Sequence, residues 1–178
     1  MAVQPAYLNL VQAAKKGDDS AFELLLEPLL DQAYHLACAL LHDHQAAEDA
    51  VQEAALKAWR KLSQLREDSV LRPWFLGIVA NECRSMKRSR WWSVLRSDPP
   101  ERASSAPEDA LLTGMEVRSA LLKLEPKKRL VLVLSWYLDL PVNEIATVLG
   151  TSESAAESRL VRATHELKRR MEAQRGRP

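Results

Sequence analysis

Small polar and basic side chains recur along one face of the stretch TSESAAESRLVRATHELKRR, which spans residues 151–170. At about 100° per residue, a helix over this stretch presents a single outer face. That face carries Ser154, Ser158, Arg162, His165 and Arg169. Short serine side chains let a helix approach bases in the major groove, and arginines pair with guanine or phosphate. The pattern indicates a DNA-reading helix, and an ordinary solvated amphipathic helix is the alternative.

An acid, Glu157, lies on the flank of this predicted face, close to where phosphates would be. Its neighbours four residues away are Glu153 and Val161, so no cation within the helix offsets its charge. One hypothesis is that Glu157 accepts a hydrogen bond from a cytosine amino group, or rejects phosphates that would set a different register. The other is an ion pair with a second helix, and the sequence leaves both open.

A second set of polar residues lies in AEDAVQEAALKAWR, residues 47–60. The alanines, Val51 and Trp59 can face inward in a helix, because they recur at helical spacing. The outward side chains are then Asp49, Gln52, Glu53 and Arg60. Such a face is either a solvated surface or an acidic and amide patch that binds a partner.

A third set follows Pro73, a residue that suits the first turn of a helix. The candidates for nucleic-acid contact are Trp74, Asn81, Arg84, Lys87 and Arg88. The Asn amide offers the donor and acceptor that base reading requires, and the cations can hold phosphates. Core packing is the alternative for at least one of Trp74 and Phe75. Trp91 and Trp92 could stack on bases, pack against another domain or cover an apolar surface.

The elements that carry these residues are predicted to be helices throughout. The chain has 178 residues, 47% of them hydrophobic and only 5 of them Gly, and no β-type alternation. The net charge of +1 conceals an acidic segment at 43–53 and a basic one at 84–96. This asymmetry indicates two partners of opposite sign.

We predict an all-α fold of two small helical domains joined by a flexible linker. The linker is placed at residues 93–108, where SVLRSDPPERASSAPE lacks periodicity and contains Pro and Ser clusters. The domains are then 1–92 and 109–174. In the second, Pro141 opens one helix, Gly150 lies in a turn and Ser152 can cap the next helix, which is helix-turn-helix spacing.

Catalytic and metal-binding motifs are not evident. The sequence has no Walker loop, GxSxG or HExxH, so we predict neither an enzyme nor a cofactor. His35, Cys38 and His42 share one helical face, with His44 close by, and these are zinc-ligand types. No fourth ligand is evident, so no metal is expected and Cys38 is interpreted as a small buried residue.

The cellular compartment is inferred from what the sequence lacks. Only two cysteines occur, without a CxxC pattern, which fits a reducing compartment. No apolar leader and no apolar run of about 20 residues is found. We therefore expect a cytoplasmic protein without membrane insertion.

Three of these motifs together resemble a known family. LPVNEIATVLGTSESAAESRLVRATHELKRR resembles the C-terminal helix-turn-helix of sigma-70 proteins, specifically the extracytoplasmic-function (ECF, group IV) sigma factors. The shared features are Glu-Ile-Ala in the first helix, the Leu-Gly turn and Ser-Arg-Leu-x-Arg-Ala in the second. AEDAVQEAALKAWRKL resembles the family's polymerase-binding helix, and RPWFLGIVANECRSMKRSR resembles its −10-reading helix.

The resemblance implies a sigma factor that binds core RNA polymerase and directs promoter-specific initiation. The β′ clamp helices would bind Asp49, Gln52, Glu53 and Arg60. The −10 element would contact Arg66, Trp74, Asn81, Arg84, Lys87 and Arg88. The −35 element would contact Ser154, Glu157, Ser158, Arg159, Arg162 and Arg169.

The resemblance further implies contact with the β subunit and control by a separate anti-sigma factor. Family members often have a basic residue where this chain has Glu157, which leaves the base contacts at that position open. The alternative function is a helix-turn-helix regulator, or a sigma-like interaction module, that acts without the polymerase core.

Overall fold

The computed structural model describes residues 5–65, 70–94, 117 and 119–175. All of the regular structure in this part of the chain is helical, which confirms the predicted all-α class. The chain divides into two compact units, Met1–Pro100 and Glu101–Pro178. Each unit has its own buried apolar residues, and each is described separately.

The described residues of unit 1 form four α-helices and a short 3₁₀ turn. They are α1 (Pro5–Lys15), α2 (Asp19–Leu41), α3 (His44–Lys61), the 3₁₀ turn Leu62–Gln64 and α4 (Leu71–Val94). Helix α4 begins two residues before Pro73, so that this proline lies inside the first turn, and extends two residues beyond position 92.

The turns of unit 1 are specified by local side chains. Asp18 Oδ1 accepts a hydrogen bond from the Ala21 amide at 3.0 Å and caps α2. At the other end of α2, His42 adopts a left-handed conformation with φ of 60°, and Asp43 then caps α3. Pro28 lies within α2, which continues to Leu41.

The core of unit 1 depends on an alanine stripe along α3. Ala47, Ala50, Ala54 and Ala58 have no solvent exposure, and such small side chains let neighbouring backbones approach closely. Helix α3 packs against α2 on one side and α4 on the other. The apolar residues of α4 that fill this core are Phe75, Leu76, Val79 and Ala80.

Among the described residues, α2 is the one helix that is long and apolar enough to cross a membrane, judged by length and composition alone. The core helix of a soluble protein passes the same test. In this structure α2 packs against α1, α3 and α4 and buries nine residues, Leu36 among them. Its apolar side chains therefore already contribute to the core of unit 1.

Unit 2 begins, in the described residues, with a short helical stretch at 119–122. The helices that follow are α5 (Pro126–Leu132), a π-helical turn (Val133–Tyr137), α6 (Val142–Leu149) and α7 (Glu153–Arg175). The sequence pattern predicts a single, continuous and largely buried helix over residues 126–140. The π turn instead leaves Trp136 and Tyr137 exposed, while Leu138 and Leu140 are buried.

Two charged groups, the buried Arg129 and the partly buried Glu166, link elements of unit 2. The buried Arg129 guanidinium donates to the carbonyls of Leu121, Leu122 and Leu124 at 2.9, 2.6 and 3.0 Å. Glu166 on α7 accepts from Lys128 on α5 at 2.5 Å and from Arg170 at 2.8 Å. These two cations lower the pKa of the Glu166 carboxyl to about 2, so its ionised form ties α7 to α5.

Candidate functional site

The predicted polar residues of α3 lie together on one exposed face. Asp49, Gln52, Glu53 and Arg60 are all exposed, because the alanine stripe occupies the opposite side of the helix. The Gln45 amide donates to Asp49 Oδ1 at 3.5 Å, a weak contact that leaves the carboxylate available to a partner. We call these four residues, together with the exposed Leu56, the α3 surface.

A groove beside the α3 surface was not predicted from the sequence. It has a volume of about 540 Å³ and is lined by Asp19, Phe22, Glu23, Gln52, Ala55, Leu56 and Trp59. Trp59 was predicted to face inward, but it is only half-buried and packs on Phe22 of α2 with ring centroids 5.0 Å apart. The groove thus combines an apolar floor with an acidic rim and shares Gln52 and Leu56 with the α3 surface.

Lys57 lies between the α3 surface and α4. Its ammonium donates to Glu82 Oε2 on α4 at 2.6 Å and lies 3.2 Å from Glu53 Oε1, one turn earlier on α3. These contacts raise the pKa of Lys57, chiefly through the hydrogen bond to Glu82, so the amine stays protonated. The ion-pair cluster was missed because residues 57 and 82 meet only through tertiary packing.

The outer face of α4 carries the predicted amide and cations. Asn81, Arg84 and Arg88 are exposed at helical spacing, and Lys87 is partly exposed next to them. Arg84 Nε donates to the Ala80 carbonyl at 3.2 Å. We call these four residues the α4 face.

The aromatic residues of α4 have different environments. Phe75 is fully buried in the core, whereas Trp74 is only partly buried. Arg66 and the side chains of Trp91 and Trp92 lie outside the described residues, so their predicted roles are not tested. Because Phe75 is buried, Trp74 is the one aromatic side chain in the described part of α4 that could stack on a base.

The turn between α6 and α7 has the geometry expected of a helix-turn-helix. Gly150 ends α6 at φ of 60°, a left-handed conformation that glycine adopts without strain. The Thr151 amide donates to the Ala146 carbonyl at 3.0 Å, which closes the end of α6. Ser152 Oγ accepts from the Ala155 amide at 3.3 Å, which confirms the predicted cap of α7.

The inner and outer faces of α7 separate cleanly. Ala156, Ala163 and Leu167 are buried, while Leu160 on the same side of the helix is half-buried. The predicted DNA-contacting residues are all exposed: Ser154, Glu157, Ser158, Arg159, Arg162 and Arg169. Val161, which is 51% exposed, adds an apolar side chain to the outward half of α7. It was not predicted as a contact residue.

Glu157 has no ion pair within the part of chain that the structure describes, and its side chain is exposed. Arg162, one turn further along, folds back so that its Nε donates to the Ser158 carbonyl at 3.0 Å. An acid and a base therefore stand on the outward half of α7, and neither has an ion-pair partner among the described side chains.

The histidine and cysteine cluster of unit 1 is arranged differently from the sequence prediction. His44 approaches Cys38, with 3.6 Å between Nδ1 and Sγ, and the same nitrogen is 2.8 Å from the Tyr34 hydroxyl. His35 instead contacts Asp31. Among the described residues, no three His, Cys, Asp or Glu side chains are placed to hold a metal ion.

Both units match regions of one protein family. Residues 25–93 match sigma-70 region 2, and residues 114–165 match sigma-70 region 4. The chain belongs to the sigma-70 family. The matched segments include the α3 surface, the α4 face and the first half of α7. The end of α7 and the part of the groove formed by Asp19, Phe22 and Glu23 lie outside them.

Named relatives are sigma factors as well. The ECF RNA polymerase sigma factor SigL of Mycobacterium tuberculosis is 29% identical over 166 residues, covering 88% of this chain and 94% of SigL. The probable RNA polymerase sigma factor RfaY of Xanthomonas campestris pv. campestris is 29% identical over 160 residues, covering 84% of this chain. The chain spans only 40% of that relative's length.

Two solved structures share the fold of this chain. RpoE from Bartonella quintana, determined in complex with the anti-sigma factor NepR, has a TM-score of 0.71 and 27% identity, covering 85% of this chain and 96% of RpoE. CnrH, determined with the cytosolic domain of CnrY, has a TM-score of 0.71 and 26% identity, covering 94% of this chain and 98% of CnrH.

Together these similarities identify this chain as a sigma factor of the ECF group, which directs transcription initiation by RNA polymerase. The alternative of a helix-turn-helix regulator without polymerase is disfavoured, because region 2 is matched in addition to the helix-turn-helix of region 4.

Proposed function

We propose that this sigma factor docks on the β′ clamp helices of core RNA polymerase through the α3 surface and the adjoining groove. The supporting observation is that Asp49, Gln52 and Glu53 project from a helix whose other face is fully occupied by core alanines. Acidic side chains around an apolar groove suit a partner helix with apolar anchors and basic flanks. The groove residues Phe22, Leu56 and Trp59 supply the area to be buried, and the acids favour association.

We propose that the α4 face contacts the −10 element, together with Arg66, which precedes α4 in the sequence. Asn81 would read a base edge, while Arg84, Lys87 and Arg88 would hold the backbone of melted DNA. Capture of an unpaired base stabilises the open state without covalent chemistry. Trp74, partly accessible next to the buried Phe75, is the stacking candidate on this side of the helix.

We propose that α7 reads the −35 element in the major groove. Ser154 and Ser158 would allow close approach, and Arg159, Arg162 and Arg169 would contact guanine or phosphate. The cap at Ser152 supports this role, because it fixes the start of α7 and with it the register of the exposed residues.

We further propose the boundaries and partners that these roles require. Residues 1–92 would form the polymerase-binding and −10 domain, 93–108 the linker, and 109–174 the −35 domain, which would also meet the β subunit. The similarity to RpoE, which was determined with the anti-sigma factor NepR, supports control by a separate anti-sigma factor. The protein would act in the cytoplasm, without cofactor, metal or catalytic activity of its own.

Reconstituted transcription tests the proposed function. The full chain is mixed with core RNA polymerase and a library of duplexes with randomised upstream sequence, and the transcribed templates are sequenced. We expect templates enriched in two conserved elements about two helical turns apart. Failure of the chain to bind core would overturn the proposal, and sequence-specific duplex binding without core would favour the helix-turn-helix alternative.

Glu157→Lys is expected to change −35 preference at one base pair by about tenfold, because one base contact contributes about 1–3 kcal/mol of discrimination. The measurement is a binding comparison over all single-base variants of the selected −35 element. Glu172→Lys, which makes the same charge change at an exposed position near the other end of α7, should leave the preference unchanged. Equal tightening on every sequence would show a general electrostatic effect and contradict the specificity role.

A further inference from the structure

Glu82 is a charged residue inside the core of unit 1. It follows Asn81 of the α4 face in sequence, yet it turns inward and is only 9% exposed. Its Oε2 accepts a hydrogen bond from Lys57 Nζ at 2.6 Å. A buried carboxylate requires such a partner, because taking an unpaired charge out of water is costly. The contact therefore fixes α4 against α3 next to the residue proposed to read a base.

The same ammonium reaches the polymerase-docking side of α3. Lys57 Nζ lies 3.2 Å from Glu53 Oε1, in the favourable order in which the acid precedes the base by four residues. Glu53 is exposed, so a partner can reach it, whereas Glu82 is enclosed. Lys57 thus contacts both the accessible carboxylate of Glu53, on the α3 surface, and the buried carboxylate of Glu82, on α4.

We propose that Lys57 is a positioning residue that couples polymerase docking at Glu53 to the placement of the α4 face through Glu82. The inference rests on the proposed function, since it needs core polymerase at α3 and DNA at α4. It assigns a role to two residues, Lys57 and Glu82, that are not among the residues proposed to contact either partner.

The mechanism follows from competition for one cation. A basic side chain of the polymerase that approaches Glu53 displaces Lys57 from it by like-charge repulsion. The ammonium is a compact charge on a flexible stem, so it moves fully to Glu82. The tie between α3 and α4 then strengthens as the polymerase binds. By linkage, a well-placed α4 in turn favours docking by the same factor.

The test uses holoenzyme formed from the full chain and core polymerase, with a promoter selected by the wild-type holoenzyme as probe. Two quantities are measured for each variant: the affinity for core, and the fraction of promoter thymines that become reactive to permanganate on melting. The variants are Lys57→Met, Lys57→Arg, Glu82→Gln and the double variant Lys57→Met/Glu82→Gln. Lys61→Met, which removes an exposed cation one turn further along α3, is the matched control.

We expect Lys57→Met to lower promoter melting about tenfold, within the usual range of coupling between sites, with core affinity changed about threefold or less. Lys57→Arg should restore most of the melting, and Lys61→Met should melt as wild type. The double variant leaves no unpaired buried carboxylate, yet it should remain defective because the link to Glu53 is still absent.

Two results would overturn the coupling. Wild-type melting by Lys57→Met would show that the cluster has no role in α4 placement. Recovery in the double variant would show that Lys57 only neutralises a buried charge. Both results leave the proposed function intact, whereas loss of core binding by the wild-type chain itself would remove the proposed function and the coupling together.

Discussion

Leu56→Asp is expected to weaken binding of the chain to core RNA polymerase by about 30-fold, the equivalent of about 2 kcal/mol, which is typical of a central interface residue. Leu56 is 52% exposed and lines the groove between α2 and α3, next to Gln52 and Trp59. A carboxylate there would bring a charge into an interface core that should exclude water. Fluorescence titration of labelled chain with core polymerase measures the change.

Leu24→Asp is the matched control for this prediction. Leu24 is 58% exposed, about the same fraction as Leu56, and it lies on α2 but does not line the groove. The same chemical change at Leu24 should leave core affinity nearly unaltered, because scattered surface apolar residues contribute little. Equal losses from both variants would indicate a general effect on folding or solubility, and no loss from Leu56→Asp would remove the groove from the docking surface.

The faces of the helices could be predicted from the sequence, because burial follows helical spacing. The alanines of α3 and the residues Ala156, Ala163 and Leu167 of α7 lie inward as that spacing predicts. The exposed positions of Asp49, Asn81 and Arg162 follow from the same rule. Capping was equally local, since Ser152 needs only the amides that follow it in the chain.

Contacts between helices could not be predicted, because they depend on how elements far apart in sequence pack. Trp59 was expected to face inward, and only the approach of α2 places Phe22 beside it and opens a groove. The Lys57–Glu82 pair is hidden for the same reason. A single helix pattern shows which side is polar, but it does not show which polar residues meet.

The π turn after α5 shows a different limit of sequence reasoning. The run LVLVLSWYLDL reads as one buried helix, yet backbone hydrogen bonds widen at Val133–Tyr137 and rotate the following residues. The Leu138 amide donates to the Val133 carbonyl and the Leu140 amide to the Leu134 carbonyl. With this spacing, Trp136 and Tyr137 lie on the exposed side. One inserted residue per turn changes which side chains are buried, and no local residue type signals it.

Arg129→Met is expected to lower the free energy of unfolding of unit 2 by about 3 kcal/mol, a large part of the stability of a small domain. Arg129 is only 5% exposed, and burial lowers its pKa, although arginine stays charged in proteins. Its guanidinium donates to the carbonyls of Leu121 and Leu122, at the end of the 119–122 helix, and of Leu124 just after it. Methionine fills part of the volume but leaves those acceptors without their donor.

Urea unfolding of the full chain, monitored by circular dichroism, measures this loss as a shift in the unfolding transition of unit 2. Lys127→Met is the control, because Lys127 is an exposed neighbour and surface substitutions usually change stability by about 0.5 kcal/mol or less. Arg129 lies on α5, whereas the proposed DNA contacts lie on α7, so weaker −35 binding by Arg129→Met should follow the fraction of unit 2 that is unfolded. Loss of −35 binding without a shift in the unfolding midpoint would contradict a purely structural role, and an unchanged midpoint would show that solvent replaces the three hydrogen bonds.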